Sequence, residues 1–385
     1  MLPVTIWMNM PSFYQDDLFR TVARKVDLRV VYDHSLTSDR RELGWSDVCT
    51  GYDFHVLDPK RKMREAVGLA RSERDRLHIV NGIWAEPAFA AAAMTLGMAG
   101  TRFAIYAEAP NQHISRSGAM RVLRRALGAW IASRASGLLA VSHFATEYYG
   151  DLGFDAKQLY PFGYFRESAP APPVSTTTDF LDFVFVGQLI HRKGIDVLLE
   201  AIAPLLAETS NLRLSLIGAG PQRDQIVARL QTDGISERVV LEGVHPSAGM
   251  HRRLAQSDLL VVPSRWDGWA LVINEALSAG TPVIASDRCG ASDLICHGVN
   301  GYVFRSEDVR DLRACLRAFM VADREKMRAA AVQTSSALAI PVVAEYLVAC
   351  LEHMSGLRAE RPLAPWQRVV ADLRRRNDGF SVVPN

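Results

Sequence analysis

Short runs of branched and aromatic apolar residues alternate with longer amphipathic stretches along almost the whole chain. That alternation restricts the fold more than any other feature. In the first half the runs are Val4–Met8, Leu28–Tyr32, Leu77–Asn81, Phe103–Ala107 and Leu138–Ser142. Helical stretches such as Asp16–Arg24, Lys62–Arg71 and Ala119–Arg134 lie between them. Leu77–Asn81 and Leu138–Ser142 are nearly continuous in apolar residues, as parallel strands covered on both faces must be. Strand–helix alternation of this kind predicts a doubly wound α/β domain.

The rhythm breaks at 169–178, Ala-Pro-Ala-Pro-Pro-Val-Ser-Thr-Thr-Thr, which reads as a linker or surface loop. A second series follows: Phe183–Val186, Leu212–Ile217, Val239–Leu241, Leu259–Val262 and Pro282–Ala285. From about Ile340 the pattern is helical only. The expected architecture is two Rossmann-like doubly wound parallel-sheet domains, 1–168 and 169–345, facing across a cleft. A helical tail, 346–385, is expected to pack back on the first domain.

At 385 residues, with 49% hydrophobic composition, each half can bury a sizeable core. The formal charge of +2 provides no global field for nucleic acid, which is not an expected partner. The cysteines (Cys49, Cys289, Cys296, Cys315, Cys350) are scattered and form no CxxC pair, so a reduced, cytoplasmic chain without a thiol metal site is expected. Met1–Met8 has no basic segment ahead of an apolar stretch, and no signal peptide is expected. Ala88–Ala99 is shorter than the roughly 20 residues that span a bilayer and reads as a buried, Ala-rich helix.

Three segments of the second half carry candidate chemistry. In Phe185-Val-Gly-Gln-Leu-Ile-His-Arg-Lys-Gly-Ile-Asp196 a strand ends at Gly187 and a basic loop leads into a helix. Backbone amides and a lysine at the carboxyl end of a parallel strand suit a diphosphate. An ordinary βα loop with solvated basic side chains would look the same. Leu216-Ile-Gly-Ala-Gly-Pro-Gln-Arg223 begins like a dinucleotide fingerprint, but Pro221 follows and no third glycine completes GxGxxG, which disfavours NAD. Gly218 and Gly220 suit a tight turn or a close ligand approach.

The third segment, Val262 to Ala285, ends a strand at Pro263, carries Asp267 and Gly268 in a loop, and starts a helix near Ala270. The amides of Ala270, Leu271 and Val272 would open that helix towards an anion, each interaction contributing about 0.3–1 kcal/mol when exposed. Asp267 stands just outside the helix and Glu275 about a turn and a half inside. Read structurally, Asp267 is only an N-terminal cap and Glu275 a solvated acid.

Taken in order, Gly187…Lys193-Gly194, Gly218-Ala-Gly-Pro221 and Asp267 with Glu275-Ala-Leu-Ser-Ala-Gly-Thr-Pro-Val283 resemble the motifs of retaining glycosyltransferase family 4, of the GT-B fold. The resemblance covers about Asp182 to Phe304. It implies that a nucleoside-diphosphate sugar, with UDP or GDP, is the donor and that a glycan or lipid-linked molecule is the acceptor. The implied setting is bacterial polysaccharide or glycolipid biosynthesis. It further implies that Lys193 binds donor phosphate, Asp267 contacts the transferred sugar and Glu275 bonds the ribose. Leu271 and Val272 would cap the diphosphate, with Gly187, Gln188, Arg192, Gly218 and Gly268 completing the donor site. No metal and no cofactor beyond the donor substrate is expected.

The chain departs from the family pattern at three points. Gln188 replaces the usual arginine, so that Arg192 or His191 is expected to substitute. Asp267 replaces a glutamate, and Asn9-Met10-Pro11-Ser12 stands where a Gly-Gly loop is usual. In the first half, Glu108 ends a central strand near the place where relatives carry a histidine, with His113 close by. It is expected at the reaction centre, although a surface acid would fit the same position. Arg116, Arg121, Arg124, Arg125 and Arg134 cluster around one helix beside Leu123, Leu127 and Trp130. Peripheral binding at the inner face of a membrane and an ordinary solvated face both fit that cluster. Two other functions fit the same architecture: a nucleotide-sugar 2-epimerase, or a catalytically silent nucleotide-sugar-binding protein.

Overall fold

The computed structural model describes residues 1–37, 49–110, 118–167 and 180–377. The linker expected at 169–178, together with His113 and Arg116, lies outside them. Two parallel sheets organise the chain. The first contains β1 (Pro3–Met8), β2 (Asp27–Tyr32), β3 (Asp53–Val56), β4 (Leu77–Asn81), β5 (Phe103–Glu108), β6 (Gly137–Val141) and β7 (Leu159–Phe162). Their order is β3-β2-β1-β4-β5-β6-β7. The second contains β8 (Leu181–Val186), β9 (Leu212–Ile217), β10 (Val239–Gly243), β11 (Leu259–Val262), β12 (Val283–Ser286) and β13 (Gly301–Phe304), in the order β10-β9-β8-β11-β12-β13. Both sheets thus show the 3-2-1-4-5-6 succession of a dinucleotide-type doubly wound fold, and the order reverses at β1/β4 and at β8/β11.

The expected strands of both series form. Asp53–Val56, Leu159–Phe162 and Gly301–Phe304 were not read from the sequence, and all three lie at sheet margins. β3 is exposed or half-buried along its length, so its apolar signal is weak. β7 and β13 are mostly buried but offer only short apolar runs, one broken by Pro161 and the other opening on Gly301. Pro161 is tolerated at an edge because no ladder amide is needed on its outer side.

Helix Ile195–Glu208 shows how the second core is built. Ile195, Leu198, Leu199, Ile202, Leu205 and Leu206 recur at helical spacing, and all are buried. They face Phe183, Phe185, Leu214 and Leu216 of the sheet and Leu312, Leu316 and Phe319 of helix Val309–Val321. Each such side chain contributes roughly 1.5–3 kcal/mol on full burial. In the first core, helix Pro87–Ala99 buries Ala88, Phe89, Ala92, Ala93 and Leu96. Among the described residues no single helix is long and apolar enough to cross a membrane.

The contacts divide the chain into two units: Met1–Glu167 with Ala339–Pro365, and Ser168–Leu338 with Trp366–Asn385. The tail therefore differs from one block lying on the first domain. Helix Ile340–Met354 packs on helix Phe13–Val22, and Tyr346 donates to the Pro161 carbonyl at 3.0 Å. The last helix, Pro365–Asn377, instead sets Leu373 and Val369 against Cys296, Val299 and Ala330 of the second unit. Leu373→Ala is expected to lose roughly 2–4 kcal/mol by leaving a cavity there. Hydrogen exchange should then show reduced protection of β11–β13 amides while β1–β7 stay unchanged.

Candidate functional site

The candidate residues of the second half converge on the reversal point between β8 and β11. Loop 187–194 leaves the end of β8 and loop 263–270 leaves the end of β11. They touch through backbone: a Cβ on Gly194, whose φ is +68°, would lie 2.0 Å from the Pro263 carbonyl oxygen. No other residue type fits without moving one loop. The Arg265 amide donates to the Arg192 carbonyl at 2.9 Å, and the Arg192 guanidinium donates to the Trp266 carbonyl at 2.8 Å. The Arg192 side chain is thus employed in closing the two loops on each other. The exposed Gln188 lies on the outer part of the same loop.

Gly218 and Gly220 prove to serve chain packing. A Cβ on Gly218 would lie 1.9 Å from the Gly187 carbonyl oxygen, and one on Gly220 would lie 2.4 Å from that of Leu189. The GxGP turn is therefore pressed against loop 187–190. The amides of Leu189 and Gln222 complete the join by donating to Ala219 and Leu189 carbonyls.

Lys193 and Asp267, 74 residues apart in sequence, form a direct ion pair whose side chains are 16% and 15% exposed. The second Asp267 oxygen accepts from the Ala270 amide at 2.9 Å. Both carboxylate oxygens are therefore engaged, each with acceptor capacity left. Asp267 is also fixed through its backbone: its amide donates to Arg288 and its carbonyl accepts from Gly290, both at 2.9 Å. Next to it, burial and the Asp267 charge push the Cys289 thiol up to about 12, which keeps it protonated and unreactive.

Helix Leu271–Ser278 begins directly after Ala270, whose φ of 70° and ψ of 68° are left-handed. For a non-glycine residue this costs roughly 1–2 kcal/mol. The Ala270 amide, expected to point at a ligand, is taken by Asp267, so Leu271 and Val272 provide the opening amides. Glu275 follows one turn later, half-buried.

Arg265 was not singled out from the sequence. It grips Asp196 through two bonds of 2.8 and 2.7 Å, donates to the His191 carbonyl at 2.8 Å, and meets Glu307 at 2.8 Å. Asp196 is the first-turn acid of helix Ile195–Glu208, so Arg265 ties both loops to that helix. An arginine in a basic loop carries no signal of such a role; only the fold brings its partners to it.

Glu108 belongs to the first unit, at the carboxyl end of β5, where it accepts from Tyr164 at 2.6 Å. At the end of β2, Asp33, His34 and Glu86 bring ligand atoms within 4.8 Å of one another. Lys62 forms an ion pair with Asp33 and supplies the positive charge that a cation would bring there. Burial, then the Asp33 charge, holds the Glu86 carboxyl above its usual range.

The Arg265 guanidinium holds Asp196 below the usual carboxylate range through hydrogen bonding. A depressed native value stabilises the fold above about pH 4, where the unfolded carboxylate is also ionised. The contribution is lost as pH falls through the native value. Arg265→Met is expected to cost about 1 kcal/mol at pH 6 after solvent screening. Urea unfolding of both proteins should show that difference shrinking at about pH 3.

Residues 172–335 match the family described as Glycosyl transferases group 1. An uncharacterized glycosyltransferase of Methanocaldococcus jannaschii is 34% identical over 118 residues, covering 31% of this chain and 30% of that protein. The lipopolysaccharide core biosynthesis mannosyltransferase LpsB of Rhizobium meliloti is 27% identical over 214 residues, 52% of this chain and 59% of that protein. The chain thus spans less than two thirds of the length of these curated relatives. The crystal structure of Anabaena Alr3699/HepE in complex with UDP covers 92% of this chain and 100% of its own, with a TM-score of 0.72 and 16% identity, a likeness of fold. The two doubly wound sheets have the GT-B fold, and the loops that meet over β8 and β11 lie within the stretch that matches the glycosyl transferases group 1 family.

Proposed function

We propose that this chain is a retaining glycosyltransferase that moves a sugar from a nucleoside-diphosphate sugar to a hydroxyl of a glycan or lipid-linked acceptor. The observation that carries the reading is the Lys193–Asp267 pair standing at the opening of helix Leu271–Ser278, at the reversal point of the second sheet. The UDP held in the Anabaena complex makes UDP the first nucleotide to test.

The chemistry requires a departing diphosphate and an oxocarbenium-like sugar to be stabilised together. Lys193 donates one N–H to Asp267 and keeps others for diphosphate oxygens. The amides of Leu271 and Val272 aim the positive end of the helix at the same anion. These groups are fixed before reaction, so little reorganisation is needed when charge develops on the leaving group. The remaining lone pairs of Asp267 accept sugar hydroxyls, and Glu275 holds the ribose. The acceptor hydroxyl attacks the anomeric carbon on the face from which the diphosphate leaves. The carbon–phosphate-oxygen bond breaks as the new glycosidic bond forms, and the hydroxyl proton passes to the departing phosphate oxygen. Glu108 is assigned to the acceptor side, where Tyr164 orients it. Neither a metal nor a further cofactor enters this scheme.

Thermal unfolding with UDP, GDP, ADP and NAD tests the donor. One nucleoside diphosphate should stabilise the wild type by about 2.7 kcal/mol at a hundred times its Kd. Lys193→Ala should lose that response. Asp267→Asn should keep it while reducing transfer about a hundredfold or more, because the neutral amide no longer offers two carboxylate oxygens to the sugar as positive charge develops on it. Stabilisation by none of these nucleotides, or by NAD alone, overturns the assignment.

A further inference from the structure

The first unit carries a surface that the transfer chemistry leaves unused. From residue 109 to residue 146 the chain contains no aspartate or glutamate, yet it includes Arg116, Arg121, Arg124, Arg125 and Arg134. Helix Gly118–Ala132 lies within this stretch. Its inner face is settled by Gly128, Ile131 and Ala132, which are buried, with Gly128 against Leu152. Its outer face is the unusual one. Val122 is 71% and Leu123 61% exposed, and exposed Ala126 and Ala129 continue the same stripe towards the half-buried Trp130.

The apolar stripe extends beyond the helix. Gly97 of helix Pro87–Ala99 lies against the Trp130 indole, and the next residue, Met98, is 71% exposed. Basic groups border it: Arg125 is exposed, and the Arg134 guanidinium stands 4.4 Å from the centre of the Trp130 ring. Outward aliphatic side chains, a tryptophan at the margin and arginines without acids form the pattern of a helix that lies in a bilayer interface.

We propose that helix Gly118–Ala132 is a docking surface for an anionic lipid bilayer. Val122, Leu123 and Met98 enter the boundary between headgroups and acyl chains, and Arg125 and Arg134 pair with lipid phosphates. The charge of the segment selects this occupant, since a second copy would set arginines against arginines. The inference goes beyond the transfer reading: it concerns the first unit alone and would stand if the nucleotide assignment failed.

The test is flotation of the full chain with vesicles of phosphatidylglycerol and phosphatidylcholine, beside vesicles of phosphatidylcholine alone. The wild type should bind the anionic vesicles at least tenfold more strongly, and raised salt should weaken the binding. Leu123→Asp and Arg125→Glu should each reduce binding about tenfold or more, and Arg125→Gln about fivefold, since each basic residue at such a surface counts for roughly that factor. The variants must melt with the wild type, as substitutions at exposed positions should. Equal binding to both vesicle types, or variants that bind like wild type, overturns the proposal. So does a dimer in sedimentation that Leu123→Asp dissociates without any vesicle binding, which would make the face a contact between copies.

Discussion

Two loops meet backbone to backbone above the gap between β8 and β11, and the geometry of the second unit rests on that meeting. Gly194 permits it, because any side chain there would enter the Pro263 carbonyl. Once the loops touch, the Arg192 and Arg265 guanidinium groups close bonds to carbonyls of the opposite loop. The partners are more than 70 residues apart, so local propensity does not bring them together. The register of two neighbouring parallel strands does, and a displacement of either strand end would separate Lys193 from Asp267.

That pair answers an electrostatic conflict. An ammonium set beside the opening of a helix meets the positive end of the helix dipole, equivalent to roughly half a unit charge. Alone the two would repel. Asp267 bonds to both, with one oxygen on Lys193 and the other on the Ala270 amide. The same bonds explain the left-handed Ala270: turning the chain sharply brings its amide onto the carboxylate and lets the helix begin immediately afterwards. On the proposed reading, an arriving diphosphate finds both cationic groups already positioned, with the strain borne by the fold.

Strands with both faces covered were legible because continuous apolar runs leave little choice, and the glycine and acid spacings of the second half marked its loops. Much of what escaped was decided by position in the fold. β3 carries a weak pattern because it is exposed or half-buried, whereas the mostly buried β7 and β13 escaped because Pro161 and Gly301 leave only short apolar runs. The glycines of Gly218-Ala-Gly-Pro221 were legible as a close approach, but whether a ligand or another stretch of chain approaches is settled only by where loop 187–190 runs. Arg265 looked like any basic loop residue, and nothing in Trp269-Ala270-Leu271 announces a positive φ. The final helix was legible as a helix, but its partner was not, since an apolar stripe such as Val369 and Leu373 does not name the surface that will cover it.

Net charge conceals the same kind of local fact. Forty-four basic and 42 acidic side chains nearly cancel over the chain, yet none of the acids falls between residues 109 and 146. Charges act over about 10 Å at ordinary ionic strength, so local density matters to a partner more than the sum does. A basic surface by itself would suit any polyanion. The exposed Val122 and Leu123 narrow the choice, because a sugar–phosphate backbone provides nothing apolar to bury them, whereas a bilayer provides anionic headgroups and hydrocarbon within the reach of a single helix face. The aliphatic side chains, more than the arginines, distinguish a lipid surface from a nucleic acid.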